Sequence, residues 1–247
     1  MNPTVETFTN YLVRVAPGLV LAAAVLALTR RSPRLRIVIY LALFVLLRDA
    51  LTPLGLWSFG GESFFWIRLA KDPAFLIAFG VASIPLSLGL YFLDRENRSL
   101  IRWTRGNVVL GAVWGLVAAL VVVAPCFVLY RNTPIDFRGG PVPSGDIPAI
   151  LTFTLLGNLV EELLFRGYVY GWLSEKMSPI RAGLSSGVIF SFCHIYLAIT
   201  VTNVGYPLLV FTLWEGMIAG VVGAKAGVLP STLTHGGAIF LLSSGLM

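Results

Sequence analysis

Long apolar runs alternate with short polar segments along the whole chain, and the runs outlast any strand or ordinary soluble helix. A helix needs about 20 predominantly apolar residues to cross the hydrocarbon core of a bilayer. Eight stretches meet or approach that length: 10–29, 37–57, 73–93, 107–129, 147–172, 182–201, 206–222 and 228–246. Arg48, Asp49 and Pro53 interrupt the second, which reads either as a full span or as a shorter one followed by a turn. The runs are unbroken rather than alternating, which favours helices over a β-barrel. The pattern therefore predicts an all-α membrane protein, a polytopic bundle of about eight transmembrane helices.

Composition agrees. Of 247 residues, 57% are hydrophobic and 12% charged, against about 25% charged in a soluble domain, and the mean hydropathy is +0.84. The formal charge of +6 does not point to nucleic acid, because the basic residues gather at span ends, where topology uses them. Membrane lipid is the expected surround. Loops after spans 1, 3, 5 and 7 hold eleven basic residues: Arg30, Arg31, Arg34, Arg36, Arg95, Arg98, Arg102, Arg105, Lys176, Arg181 and Lys225. Loops after spans 2, 4 and 6 hold four: Arg68, Lys71, Arg131 and Arg138. The excess places the odd loops in the cytoplasm and both termini outside, in an integral multi-pass protein expected in a bacterial cytoplasmic membrane. Tyr130–Asp146, rich in Gly and Pro, reads as an external loop. No cleavable signal peptide is expected, since Met1–Asn10 has no basic residue. Cys126 and Cys193 lie in apolar runs and are not expected to pair. Small residues four apart (Gly111/Gly115, Gly183/Gly187, Gly216/Gly220, Gly223/Gly227) let helices approach closely and suggest that spans 6 and 7 pack inside the bundle.

Against this apolar background a few ionisable side chains stand out. Each costs roughly 2.5–3.5 kcal/mol on insertion scales and marks a working site by default. Glu161 and Glu162 lie on span 5, His194 on span 6, Glu215 on span 7 and His235 on span 8. At 1.5 Å per residue, Glu161, His194, Glu215 and His235 all fall roughly 10–18 Å from the cytoplasmic ends of their spans, a shared depth that favours one cavity. Glu162 and Arg166 are i,i+4 neighbours in acid-first order and can pair along one helix face. Glu161 projects about 100° away, free of that pair, with Asn158 at i−3 on its own face. Glu161 is thus assigned the chemistry and Glu162–Arg166 a positioning role. Bland readings stand beside these: interhelical hydrogen bonding for each histidine, a structural ion pair for Glu162–Arg166, and either partnering or packing for Glu215. Arg14 and Arg48 are read as snorkelling to span ends, with Asp49 paired nearby.

Three motifs in order resemble the CPBP family, which comprises the type II CAAX prenyl proteases and the bacteriocin-processing intramembrane proteases. Glu161-Glu162-Leu163-Leu164-Phe165-Arg166 matches EExxxR, and Phe190-Ser191-Phe192-Cys193-His194 matches FxxxH. His235-Gly236-Gly237-Ala238-Ile239 keeps the histidine of a final HxxxN but not its asparagine. The resemblance covers about Ile147–Leu242, so the chain divides into helices 1–4 (residues 1–146, no motif) and a protease core of helices 5–8 (147–247). It implies a membrane-embedded endopeptidase acting on a membrane-associated or lipidated protein, with Glu161 as general base and His194 and His235 catalytic in the same cavity. Ile239 has no side-chain donor for the oxyanion role, so Asn158, a backbone N–H or His235 would have to serve. Otherwise the chain is a non-catalytic relative, a membrane binding or immunity protein. No cofactor is favoured. The alternative is zinc held by Glu161, His194 and His235, although the chain lacks the HExxH helix. A proton- or ion-coupled transporter is a further reading, disfavoured by the lack of an internal repeat.

Overall fold

A computed structural model describes residues 3–29, 31–52, 55–60, 65–202 and 204–247. Arg30 and Pro53, invoked above, lie outside the described residues. Eight helices account for most of the chain. They are α1 (Pro3–Leu28), α2 (Pro33–Leu51), α3 (Pro73–Leu93), α4 (Val108–Tyr130), α5 (147–173), α6 (Pro179–Val201), α7 (Tyr206–Ala226) and α8 (Val228–Ser243). Six of them, all but α2 and α8, are long and apolar enough to cross a membrane. Proline in the first turn opens α2, α3, α6 and α7, where its missing N–H costs nothing. Asp72 and Asn107 cap α3 and α4 by accepting from the backbone N–H of Phe75 and Leu110.

The second apolar run does not remain helical to residue 57. Helix α2 stops at Leu51, and Trp57–Gly60 (β1) pairs antiparallel with Trp66–Leu69 (β2), with Trp57 opposite Leu69 and Phe59 opposite Ile67. The shorter-span reading is the one that holds, and the hairpin was not anticipated. Helix α8 is also shorter than its apolar run. Among the described residues it has 16, and Gly227 alone joins it to α7, with φ of 100°. A Cβ there would meet Arg102 O at 2.8 Å, so glycine is required twice over.

Helices α6 and α7 form the most extensive pairing, and α8 packs on α4 and α7. Small residues make both contacts possible. A Cβ on Gly183 would lie 2.4 Å from Gly220 O, one on Gly187 2.5 Å from the Gly216 carbonyl, and one on Gly115 2.4 Å from Pro230 O. The expectation that spans 6 and 7 pack closely inside is met, and α7 is the most buried of the long helices. Apolar side chains of α4 such as Val109, Leu120 and Phe127 remain exposed, as a lipid-facing surface requires.

Helix α5 is not a regular α-helix. π-helical turns occupy Phe153–Gly157 and Leu163–Val169, on either side of Asn158–Glu162. Helix α6 is likewise interrupted, with a tight turn at Cys193–His194 before the π-helical Leu197–Val201. Such turns recur at functional sites, and here they flank the two glutamates and His194.

Loop contacts sort the two ends of the bundle. Arg34 binds Asn97 and Glu175, and Arg36 binds Asp94 and Glu96, which joins the first turn of α2 to the loops after α3 and α5 at one end. At the other end Arg68 of β2 donates to Gly140 O and to Leu242 O, the latter near the C-terminus of α8.

Candidate active site

The irregular turns of α5 and α6 border a cavity of about 300 Å³, bounded by α1, α2, α3, the hairpin and the α5–α8 core. Aromatic and aliphatic side chains line most of it, with Phe44, Trp57, Phe59, Phe65 and Ile67 among them. Polar side chains gather on the core side: Asn158, Glu161, His194, Glu215 and His235, with Arg48 from α2. An apolar cavity with a few convergent polar groups is the usual form of a small-ligand or substrate site.

The two adjacent glutamates have different surroundings. Glu162 is fully buried and bound on every side: Oε1 accepts from Arg166 Nη1 at 2.7 Å and from His235 Nδ1 at 2.9 Å, while Oε2 accepts from Ser231 Oγ at 2.5 Å. Arg166 also donates to Gly216 O at 2.9 Å and lies over the Phe190 ring, 4.8 Å from its centroid. Gly223 makes room for this side chain, since a Cβ there would sit 2.7 Å from Arg166 Cγ. Glu161 faces the cavity instead, and its Oε2 is buried without a hydrogen-bond partner. The angular separation of neighbouring helix positions thus gives one carboxylate to the scaffold and leaves the other open.

Both histidines are oriented through Nδ1. His194 Nδ1 lies 2.8 Å from Phe190 O, so it carries the proton and donates to that carbonyl. His235 Nδ1 faces Glu162, and its Nε2 lies 3.8 Å from Glu215 Oε2. The ring of Phe190, 4.4 Å from that of His194 and 5.3 Å from that of His235, separates the two imidazoles. Gly236 lets α8 approach α5 here, since a Cβ would meet Thr154 O at 2.5 Å. Asn158 shares the Glu161 face but donates from Nδ2 to Thr154 O, 2.8 Å away. Ile239 lines the cavity and brings only hydrocarbon.

The five cavity-facing residues singled out in the sequence therefore meet around one space, with the Glu162–Arg166 pair directly behind them. Among the described residues, no group of three or more His, Cys, Asp or Glu side chains is disposed to hold a metal ion. Arg48 requires correction. It does not snorkel but is 5% exposed, donating from Nε to Asp49 at 2.7 Å and from Nη2 to Cys193 O at 2.7 Å. The rule that flagged the other intramembrane charges applied to Arg48 equally. Ser231 was also missed, although it sits one turn before His235 on the same helix face.

The fold and this cluster define an integral multi-pass membrane protein with a buried acid, imidazole and guanidinium site. Residues 143–241, which fall on α5–α8 and the turn before them, match the family model described as type II CAAX prenyl endopeptidase Rce1-like. The match spans about two-fifths of the chain and contains Glu161, His194, Glu215 and His235. No curated protein and no solved structure matches the chain.

Proposed function

We propose that the protein is a membrane-embedded endopeptidase that hydrolyses a peptide bond in a membrane-associated or lipidated protein, with Glu161 as general base. The observation that carries this reading is the contrast between the neighbouring carboxylates. Both carboxylate oxygens of Glu162 are engaged, by three donors in all, whereas Glu161 presents an unpartnered oxygen beside the cavity. A base needs such a free lone pair within reach of water.

In the proposed reaction, Glu161 takes a proton from water as the water oxygen bonds to the scissile carbonyl carbon. The C=O π pair moves to oxygen and gives a tetrahedral oxyanion. Collapse reforms the carbonyl, breaks the C–N bond, and passes the proton from Glu161 to the departing amine. His194, with Nδ1–H held by Phe190 O, turns Nε2 toward the reacting groups and orients the water. His235 is set by Glu162 on one side and approached by Glu215 on the other; it supplies electrostatic stabilisation across the cavity. Glu162, Arg166 and Ser231 are positioning residues. No metal takes part in this scheme.

The basic end of the bundle, where Arg34 and Arg36 of α2 meet the loops after α3 and α5, is assigned to the cytoplasm, which puts both chain termini outside. The deciding experiment compares the membrane proteomes of cells carrying wild type and Glu161→Gln. One membrane protein should remain unprocessed in the mutant, with turnover of its cleavage peptide reduced about 10²-fold or more. Full processing by Glu161→Gln protein of normal abundance would sink the assignment.

A further inference from the structure

Hydrolysis through a tetrahedral oxyanion requires a donor for the developing charge, and most donors around the cavity are already engaged. Asn158 Nδ2 donates to Thr154 O and His194 Nδ1 to Phe190 O, while His235 Nδ1 serves Glu162. Neutral His194 then offers only a lone pair at Nε2, and His235 Nε2 faces Glu215 Oε2 at 3.8 Å. Ile239 contributes no polar atom. Among the described residues lining the cavity, three buried side-chain atoms have no hydrogen-bond partner: Glu161 Oε2, Glu215 Oε1 and Arg48 Nη1. Two are acceptors and one is a donor.

We propose that Arg48 is a catalytic residue whose Nη1 donates to the carbonyl oxygen as it becomes the oxyanion. This inference rests on the peptidase reading above. Its geometry is independent of that reading. The guanidinium is fixed at two of its three nitrogens, by Asp49 Oδ1 and by Cys193 O, each at 2.7 Å. Its carbon lies 4.8 Å from the centroid of the Phe44 ring, which in turn lies 6.3 Å from the His194 ring. Nη1 is thus held by its own partners without being satisfied by them. Glu161 and Arg48 border one cavity yet are not ion-paired, so a carbonyl can enter between a base and a cation. A preorganised charge in an apolar surround needs little rearrangement as the reaction proceeds. Asp49 balances the arginine in the resting state, so that a full unpaired charge is not left in the bilayer.

The test uses full-length protein in lipid nanodiscs and the cleavage peptide identified from the Glu161→Gln comparison. Arg48→Gln should lower kcat by 10²- to 10³-fold and leave KM within about threefold. It should also weaken a phosphinate isostere of that peptide, which mimics the anionic tetrahedral intermediate, by a similar factor. Arg48→Lys keeps charge but not the fork and should recover part of the loss. Arg48→Gln combined with Asp49→Asn removes both buried charges and provides a second variant should the single one misfold; it should show the same kcat and phosphinate losses. If either folded Gln variant keeps wild-type kcat, or loses kcat without losing phosphinate affinity, Arg48 acts only by holding the Cys193 carbonyl and the proposal is overturned. A loss confined to KM that disappears when the peptide is amidated would instead make Arg48 a carboxylate anchor, which also overturns it. Glu161→Gln separates the two readings: inactivity there with full activity in Arg48→Gln defeats this inference alone, whereas full activity in Glu161→Gln defeats the peptidase mechanism itself.

Discussion

Replacing Glu162 by Gln should unfold the protein far more readily than the same change at its neighbour Glu161. Glutamine keeps the shape and nearly the whole hydrogen-bond count. Its amide oxygen can accept from Arg166 and His235, and its NH₂ can donate to Ser231 Oγ, whose own proton then goes to Ala219 O, 2.9 Å away. What is lost is the negative charge opposite a guanidinium that is 2% exposed. Breaking a buried pair by neutralising one partner costs about 3–5 kcal/mol. Gly216 O and the Phe190 ring still hold Arg166, so the lower end, about 3 kcal/mol, is expected. For a chain of this size that is a fall in Tm of roughly 6–12 °C, readable by thermal unfolding in detergent. Glu161→Gln, which removes an unpartnered charge, should leave Tm unchanged or raised. A double-mutant cycle with Arg166→Met isolates the pair, and a coupling of about 2 kcal/mol or more is expected because removing both charges leaves neither stranded. Additivity within about 0.5 kcal/mol would refute the reasoning.

Ser231→Ala removes a hydrogen bond to a charged group and should cost about 1.5–2 kcal/mol, measured by the same unfolding assay. Exchanging the charges, with Glu162→Arg and Arg166→Glu together, should not restore activity, because His235, Ser231 and Gly216 O each face the wrong partner; recovery to wild-type turnover would show that only the pair matters. Gly187→Ala places a methyl 2.5 Å from the Gly216 carbonyl and should destabilise by about 1–3 kcal/mol. Activity should fall with it, since that carbonyl holds Arg166, and a fully active variant would refute the coupling. Exhaustive chelation followed by dialysis should leave turnover intact; stoichiometric zinc, lost with activity and restored by zinc alone, would reverse the metal-free mechanism.

Much of this site was legible because its key relations lie within one helix. The pairing of Glu162 with Arg166 follows from a spacing of four, and the separate aspect of Glu161 from a step of one residue. The seam between α6 and α7 was readable in Gly183/Gly187 and Gly216/Gly220. Relations between helices were less accessible. That His235 would meet Glu162 depends on the relative rotation of α5 and α8, and the two π-helical turns in α5 break the 3.6-residue count by which such a rotation is estimated. Depth survived better than rotation, because a π turn changes the rise less than the phase. The hairpin was missed because Trp57 read as the end of an apolar span, although Phe65, Ile67 and Leu69 alternate as a half-buried strand would. Arg48 was missed for a similar reason: an assumed span end made snorkelling seem available, whereas packing against α6 closed that route.

The shortness of α8 bears on how the protein is made. Its 16 residues rise about 24 Å, less than the roughly 30 Å of hydrocarbon that a self-sufficient span must cross. Such a segment gives the insertion machinery a weak signal and is retained by its neighbours: Pro230 seats against Gly111 and Gly115 of α4, and α7 lies alongside. His235 therefore reaches the cavity only after those helices are in place. During synthesis the glutamates of α5 enter the bilayer first, without the last imidazole. The assembled cluster is thus a property of the finished bundle, and a half-inserted chain holds Glu161 in the membrane without His235 beside it.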